Sequence, residues 1–335
     1  MKSTLQKPSI IVFVLLVTIT LVFSISSFSK INAVESKKTI GVLISSDYRM
    51  PKVEGVKKGL EEYQFIEGET VLYSIKNAAL NYESLPQLAE ELVEEHPDVI
   101  FVTGEAEALA AQKVAQAKQI PIIFVGVGSA KEIGLIESYN SPGKNITGVE
   151  NYYLILSGKR LEYFQRLLPG VKNIAVMYDP RITPAKPTLN FLNEASQRLK
   201  LEIQAIPVES REKILEVMNG LDIQQVDGVM FLCSQLLEAV TDEVSPIALK
   251  KRIPIMGVSE EQTANGLLAS YGMPYYEQGL QASRLVAKVL HGENASLIPV
   301  EAPAKVEFIV NPETAKKLQL HLDPAGLTSV TKFVE

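Results

Sequence analysis

From Thr39 onward, short runs of Ile, Val, Leu and Phe alternate with stretches where apolar residues recur every three or four positions. Residues 39–45, 70–76, 98–103 and 121–126 predict strands. They are nearly continuous in branched and aromatic residues, as expected of parallel strands covered on both faces. Between them, Leu85, Leu88, Ala89, Leu92 and Val93 fall on one helical face, and residues 108–118 are rich in helix formers. Pro97 closes the first of these segments and Pro121 opens the next strand. Strand and helix in strict alternation predict an α/β fold built on a doubly wound parallel sheet.

The pattern then restarts. Residues 172–178, 202–208, 227–233 and 253–258 predict four more strands. Leu189, Leu192, Ser196 and Leu199 mark one intervening helix face, and Ile214, Leu215, Met218 and Leu221 mark another. Two successive halves of similar size predict two lobes. The turn-rich passage Ser141-Pro142-Gly143-Lys144-Asn145-Ile146-Thr147-Gly148 lies between them and is the natural first crossing. Beyond it, residues 266–271 predict another strand, Tyr275 to Leu290 a long helix stopped by Gly292, residues 305–310 a last strand and residues 312–318 a short helix. Ten strands fit two lobes best if this tail returns to the first lobe and crosses again.

Of 335 residues, 33 are Lys or Arg and 39 are Asp or Glu, giving a net charge of −6. All three charges in the first 33 residues, Lys2, Lys7 and Lys30, are basic, so the body is more acidic still. Such a body is a poor partner for nucleic acid. One cysteine, Cys233, excludes an internal disulfide framework and a thiolate metal cage; its expected role is a small buried hydrophobe. His96, His291 and His321 are far apart and read as helix-end side chains. Lys2 and Lys7 precede an uncharged run, residues 8–29, which with Ile31-Asn32-Ala33 has the pattern of a secretory signal cut after Ala33. The run is also long enough for an uncleaved membrane anchor. Both readings export the body.

No phosphate loop, nucleophile elbow or zinc-protease motif is present. Gly126-Val127-Gly128-Ser129 begins like a dinucleotide fingerprint, but Lys131 stands where the third glycine belongs, which leaves a generic strand-to-helix turn. No catalytic residue, cofactor or metal site is expected. Ligands of open α/β sheets bind beyond the carboxyl ends of the strands. There the first half offers Ser45, Ser46, Asp47 and Tyr48, then Thr103, Gly104 and Glu105, then Gly128 and Ser129. The second half offers Tyr178 and Asp179, then Ser234, then Ser259 and Glu260. Tyr152 and Tyr271 join Tyr48 and Tyr178 as flat walls. For an amino acid, the carboxylate is expected at Ser45, Ser46 and Thr103, and the ammonium at Glu260 or Asp179. Helix capping is the competing role for each Ser, Thr and Asp.

Residues 141–149, Ser-Pro-Gly-Lys-Asn-Ile-Thr-Gly-Val, resemble the P-G-x-N-[IV]-T-G-[VF] passage of ABC-transporter substrate-binding proteins of the TrpX-like group. Further similar passages are residues 98–104, 121–124 and 168–176, Tyr275-Tyr276-Glu277-Gln278-Gly279, Leu290-His291-Gly292, residues 298–301 and Val310-Asn311-Pro312. The likeness runs from about Lys38 to about Leu320. It implies the type I periplasmic-binding-protein fold, two lobes joined by three crossings near residues 145–153, 269–273 and 297–302. On this reading residues 38–148 with 272–297 form the first lobe and residues 149–271 with 298–335 the second. It also implies a monomeric extracytoplasmic receptor that closes on a small solute, an amino acid or similar, and delivers it to an ABC permease, with no nucleic acid and with membrane contact only through residues 8–29 if uncleaved. Two departures fall at the cleft: Glu105 and Glu107 replace a small G-T-x-A-A loop, and Ser129-Ala130 replaces an Asp-Pro pair. The rival readings are a ligand-sensing domain for a membrane signalling partner and a two-lobed α/β enzyme.

Overall fold

The computed structural model describes residues 36–181 and 185–334; the segment expected to act as a secretory signal or anchor lies outside the described residues. Residues 38–335 form one compact unit. Its first sheet is all parallel, in the order β2-β1-β3-β4-β5. The strands are β1 (Lys38–Ile44), β2 (Val71–Asn77), β3 (Val99–Val102), β4 (Ile122–Val127) and β5 (Ile146–Glu150). Helices α1 (Met50–Glu61), α2 (Leu85–Glu94) and α3 (Glu105–Lys118) connect them. Alternate residues of the central strands feed opposite cores, as the two-residue period of a strand requires. Val42, Phe101 and Ile123 pack on the α1 side, and Leu43, Ile100 and Phe124 on the α2–α3 side.

The second sheet follows α4 (Tyr153–Leu167). It comprises β6 (Asn173–Tyr178), β7 (Glu202–Pro207), β8 (Gly228–Phe231), β9 (Ile255–Gly257), β10 (Ala269–Gly272), β11 (Glu307–Val310) and β12 (Lys332–Phe333), in the order β12-β11-β10-β9-β8-β6-β7. Only the β10–β11 pair is antiparallel. Helices α5 (Ala185–Leu199), α6 (Arg211–Gly220), α7 (Gln235–Ala239), α8 (Thr241–Lys251) and α9 (Glu260–Ala264) lie among these strands, and α10 (Tyr275–Leu290) follows β10. Although it follows β6 to β10 and the helices between them, α10 packs along α1 in the first lobe. The contact is close: a Cβ on Gly55 would sit 2.0 Å from the Tyr276 carbonyl, and one on Gly279 would sit 1.8 Å from the Lys52 carbonyl.

Three chain passages therefore join the lobes. They differ in detail from the expected crossings. Ile146–Glu150 is not part of a crossing turn but the edge strand of the first sheet, paired with β4. The crossing begins at Asn151 and turns at Tyr152, whose φ of 50° is left-handed. Residues 269–272 are likewise a strand, β10, and the second crossing follows it. The third leaves α10 and returns to β11; on the way Glu301 bridges Val149. Gly128 and Ser129 lead into turns rather than a helix, so the expected strand-to-helix turn after β4 is replaced by a loop that reaches β5.

Candidate functional site

The carboxyl ends of the two sheets face each other across a cavity of about 70 Å³. The first lobe lines it with Arg49, Tyr82, Gly104, Glu105, Ala106, Gly126 and Gly128, and the second with Tyr153, Leu154, Ser157, Tyr178, Asp179, Thr188 and residues 232–235. Of the sequence-predicted positions, the structure brings together Gly104, Glu105, Gly128, Tyr178, Asp179 and Ser234. Ser234 also caps α7, its Oγ accepting from the Leu236 N–H.

The remaining positions lie elsewhere. Ser45 and Thr103 are buried behind the lining, where the Ser45 N–H (3.1 Å) and the Thr103 hydroxyl (3.2 Å) both donate to Glu107 Oε1. Glu107 takes the role assigned above to a ligand carboxylate. Ser46 and Ser129 are buried without reaching the cavity, and Asp47 accepts from Asn77 at 2.7 Å. Tyr48 points to Asp242 of the other lobe, its hydroxyl 3.4 Å from the carboxylate. Tyr152 forms the crossing turn. Ser259 caps α9 through the Gln262 N–H. Glu260 lies outside the cavity lining and pairs with Lys332 at 2.6 Å. Tyr271 packs in the second core against Tyr163 and Phe308.

The side chains that sequence reasoning missed carry most of the charge. Arg49 is 3% exposed and crosses to Glu238 of α7, 3.0 Å away and 2% exposed. The Gln235 amide, on the same short helix, donates across the cleft to Glu107 Oε1 at 3.0 Å. Lys52, wholly buried, donates to the Thr103 carbonyl at 2.8 Å and lies 4.4 Å above the Tyr275 ring; Arg49 lies 5.1 Å from the same ring. Burial, reinforced by the charge of Arg49, pulls the Lys52 ammonium down to about 7. A signal for Lys52 was present: it falls on the apolar stripe of α1, with Val53, Val56 and Leu60, where a solvent-facing lysine does not belong.

The second-lobe wall is different. Cys233 is not packed away as a small hydrophobe but lines the cavity, because β8 ends at Phe231 and the chain turns outward into α7. Burial pushes its thiol up to about 11, so it is protonated at neutral pH, within hydrogen-bond reach of the Tyr153 phenol. Asp179 is bound by Arg181 through both oxygens, at 2.9 and 2.7 Å. Among the described residues no three His, Cys, Asp or Glu side chains are grouped to hold a metal, and no helix is long and apolar enough to cross a membrane.

Two parallel-sheet lobes, crossed three times and closed around a small cavity by polar contacts between them, define a solute-binding receptor of the periplasmic-binding type. The family model described as ABC transporter substrate binding protein matches residues 37–333, and the chain belongs to that family. A tyrosine-binding protein of Clostridioides difficile (strain R20291) is 27% identical over 290 residues, covering 85% of this chain and 83% of that one. The fold is shared with an ABC domain from Streptococcus pneumonia in complex with L-Trp (TM-score 0.82, 18% identity, 89% of this chain and 100% of that one). It is shared too with a conserved domain protein from Vibrio cholerae (TM-score 0.83, 22% identity, 89% and 100%).

Proposed function

We propose that the protein captures an aromatic amino acid outside the cytoplasm and delivers it to an ABC permease. The observation that carries this reading is the composition of the cavity: three tyrosines, Tyr82, Tyr153 and Tyr178, surround a space of about 70 Å³ that also meets charged side chains. Flat rings supply apolar area and edge-to-face contact for another ring. The small volume favours one compact molecule over a peptide or an oligosaccharide. The relative that binds tyrosine and the neighbour bound to L-Trp support the same class.

Binding acts through closure. Contacts made by a ligand to both walls exist only when the lobes meet, so the ligand shifts the population toward the closed form, which a permease distinguishes from the open one. The Arg49–Glu238 and Gln235–Glu107 contacts are already those of such a form. Titration calorimetry with the twenty amino acids tests the reading. L-Tyr or L-Trp should bind most tightly and shrink the radius of gyration in solution scattering. Preference for an aliphatic amino acid would refute the aromatic assignment.

A further inference from the structure

We infer that Arg49 is the anchor for a carboxylate on the ligand, so that the receptor selects solutes by a free carboxyl group before it selects them by their ring. This rests on the cleft being the solute site, and it adds the head-group chemistry.

Arg49 lines the cavity and is 97% withdrawn from solvent, yet only Nη2 is engaged, by Glu238. Its Nε and Nη1 have no hydrogen-bond partner in the protein. Buried N–H groups of a guanidinium are costly to leave unsatisfied. The Tyr82 hydroxyl, from the same wall and also lining the cavity, is buried and likewise unpartnered. Guanidinium N–H groups are donors only, and the phenol completes a set that fits an acceptor bearing negative charge. The carboxylates nearby are largely engaged by other groups. Asp179 is held by Arg181 through both oxygens, and Glu107 Oε1 receives Ser45, Thr103 and Gln235, while Glu107 Oε2 has no hydrogen-bond partner. Glu238 has a defined part in this arrangement: it fixes Nη2 from across the cleft, so the remaining N–H groups are aimed only when the lobes meet. Lys52, sharing the Tyr275 ring with Arg49, adds positive potential behind it.

The test uses the purified full chain and matched pairs of ligands: L-tyrosine with L-tyrosinamide, and L-tryptophan with L-tryptophanamide. The native chain should bind each acid roughly ten- to a hundredfold more tightly than its amide, the range expected for a charge-assisted hydrogen bond. Arg49→Gln should lose a similar factor for the acids and little for the amides. The double variant Arg49→Gln/Glu238→Gln removes both members of the buried ion pair together; it should fold and still fail to prefer the acids. Amides bound as tightly as acids by the native chain, or an acid preference retained by the folded double variant, would overturn the inference. If neither aromatic acid binds, the aromatic reading falls and the same comparison is made with the other amino acids and their amides. There, dependence of carboxylate preference on Arg49 upholds the anchor, and independence sinks it.

Discussion

On the first-lobe wall, Arg49, Lys52 and Glu107 are almost wholly withdrawn from water, and Glu238 reaches in from α7 to meet them. The second-lobe wall presents Tyr153, Tyr178, Leu154, Cys233 and two serines; its buried cation, Arg160, sits behind Tyr153 and donates to the Tyr271 carbonyl at 2.6 Å. The first wall holds several buried charges together, while the second presents mostly rings and small side chains, its one lining carboxylate, Asp179, being bound by Arg181. Close packing supports both walls. Gly55 and Gly279 press α1 and α10 together at backbone distance behind the first. In the second lobe a Cβ on Gly272 would sit 2.3 Å from the Val258 carbonyl and one on Gly326 2.2 Å from the Arg166 carbonyl, with one on Gly158 of α4 3.3 Å from Ala195. The α1–α10 pair is the support that holds the buried charge of the first wall.

The largest expected effect tests that support. Gly279→Val should cost more than about 3 kcal/mol and leave little folded protein, because its side chain must displace the Lys52 carbonyl and backbone cannot yield. Loss of folded yield, or of the thermal transition, checks it; a native-like Tm would mean that the helices can separate and the first wall is not rigid.

Lys52→Met comes next and has a sign fixed by linkage. The ammonium titrates near 7 in the folded chain and near 10.5 when unfolded, so between these values the unfolded chain binds the extra proton. Native stability therefore rises from pH 7 to pH 10. The methionine variant should be more stable by about 2–3 kcal/mol at pH 6–7, with the gap closing toward pH 10. Denaturant midpoints for both chains across that range measure it, and a gap that stays constant would place no buried proton equilibrium at Lys52.

On the second wall, Tyr178→Ala should weaken binding of an aromatic amino acid roughly tenfold, the worth of one ring contact and its buried area. The acid-to-amide ratio should stay unchanged, since the ring wall does not read the head group. Calorimetry on both ligands decides whether the walls act separately. The smallest effect belongs to Gly158→Ala: helix propensity gains about 0.5–1 kcal/mol, the new Cβ lies a tight 3.3 Å from buried Ala195, and the net change should stay within about 1 kcal/mol of zero with affinity unaltered. A loss larger than that, read from denaturant midpoints, would show that the α4–α5 contact cannot give.

The strands were legible because parallel strands covered on both faces must be apolar throughout, and Ile100, Phe101, Val102 or Val229, Met230, Phe231 leave no other reading. Ile146–Glu150 was not, because Pro142, Gly143 and Asn145 crowd its start and only Ile146 and Val149 announce it. The rule that ligands meet the carboxyl ends of strands found Gly104, Gly128, Tyr178 and Asp179. It missed Arg49, Tyr82, Tyr153 and Gln235, which lie beyond the strand ends on short turns and first helical turns, where the path of the backbone and not residue type decides what faces inward. Hydroxyls at strand ends were overweighted for the same reason: Ser259 serves its own helix and Thr103 serves Glu107.

The α1–α10 contact has a bearing on redesign. An engineer converting this receptor into a sensor for another metabolite would treat the glycine-lined helix pair, and the basic residues it positions, as fixed hardware. Randomising Leu154, Tyr178, Leu232 and Cys233 alters the shape of the recess without touching that frame. Libraries built there should yield new rings and side chains on the same acidic head group, while libraries in α1 should mostly yield chains that never fold.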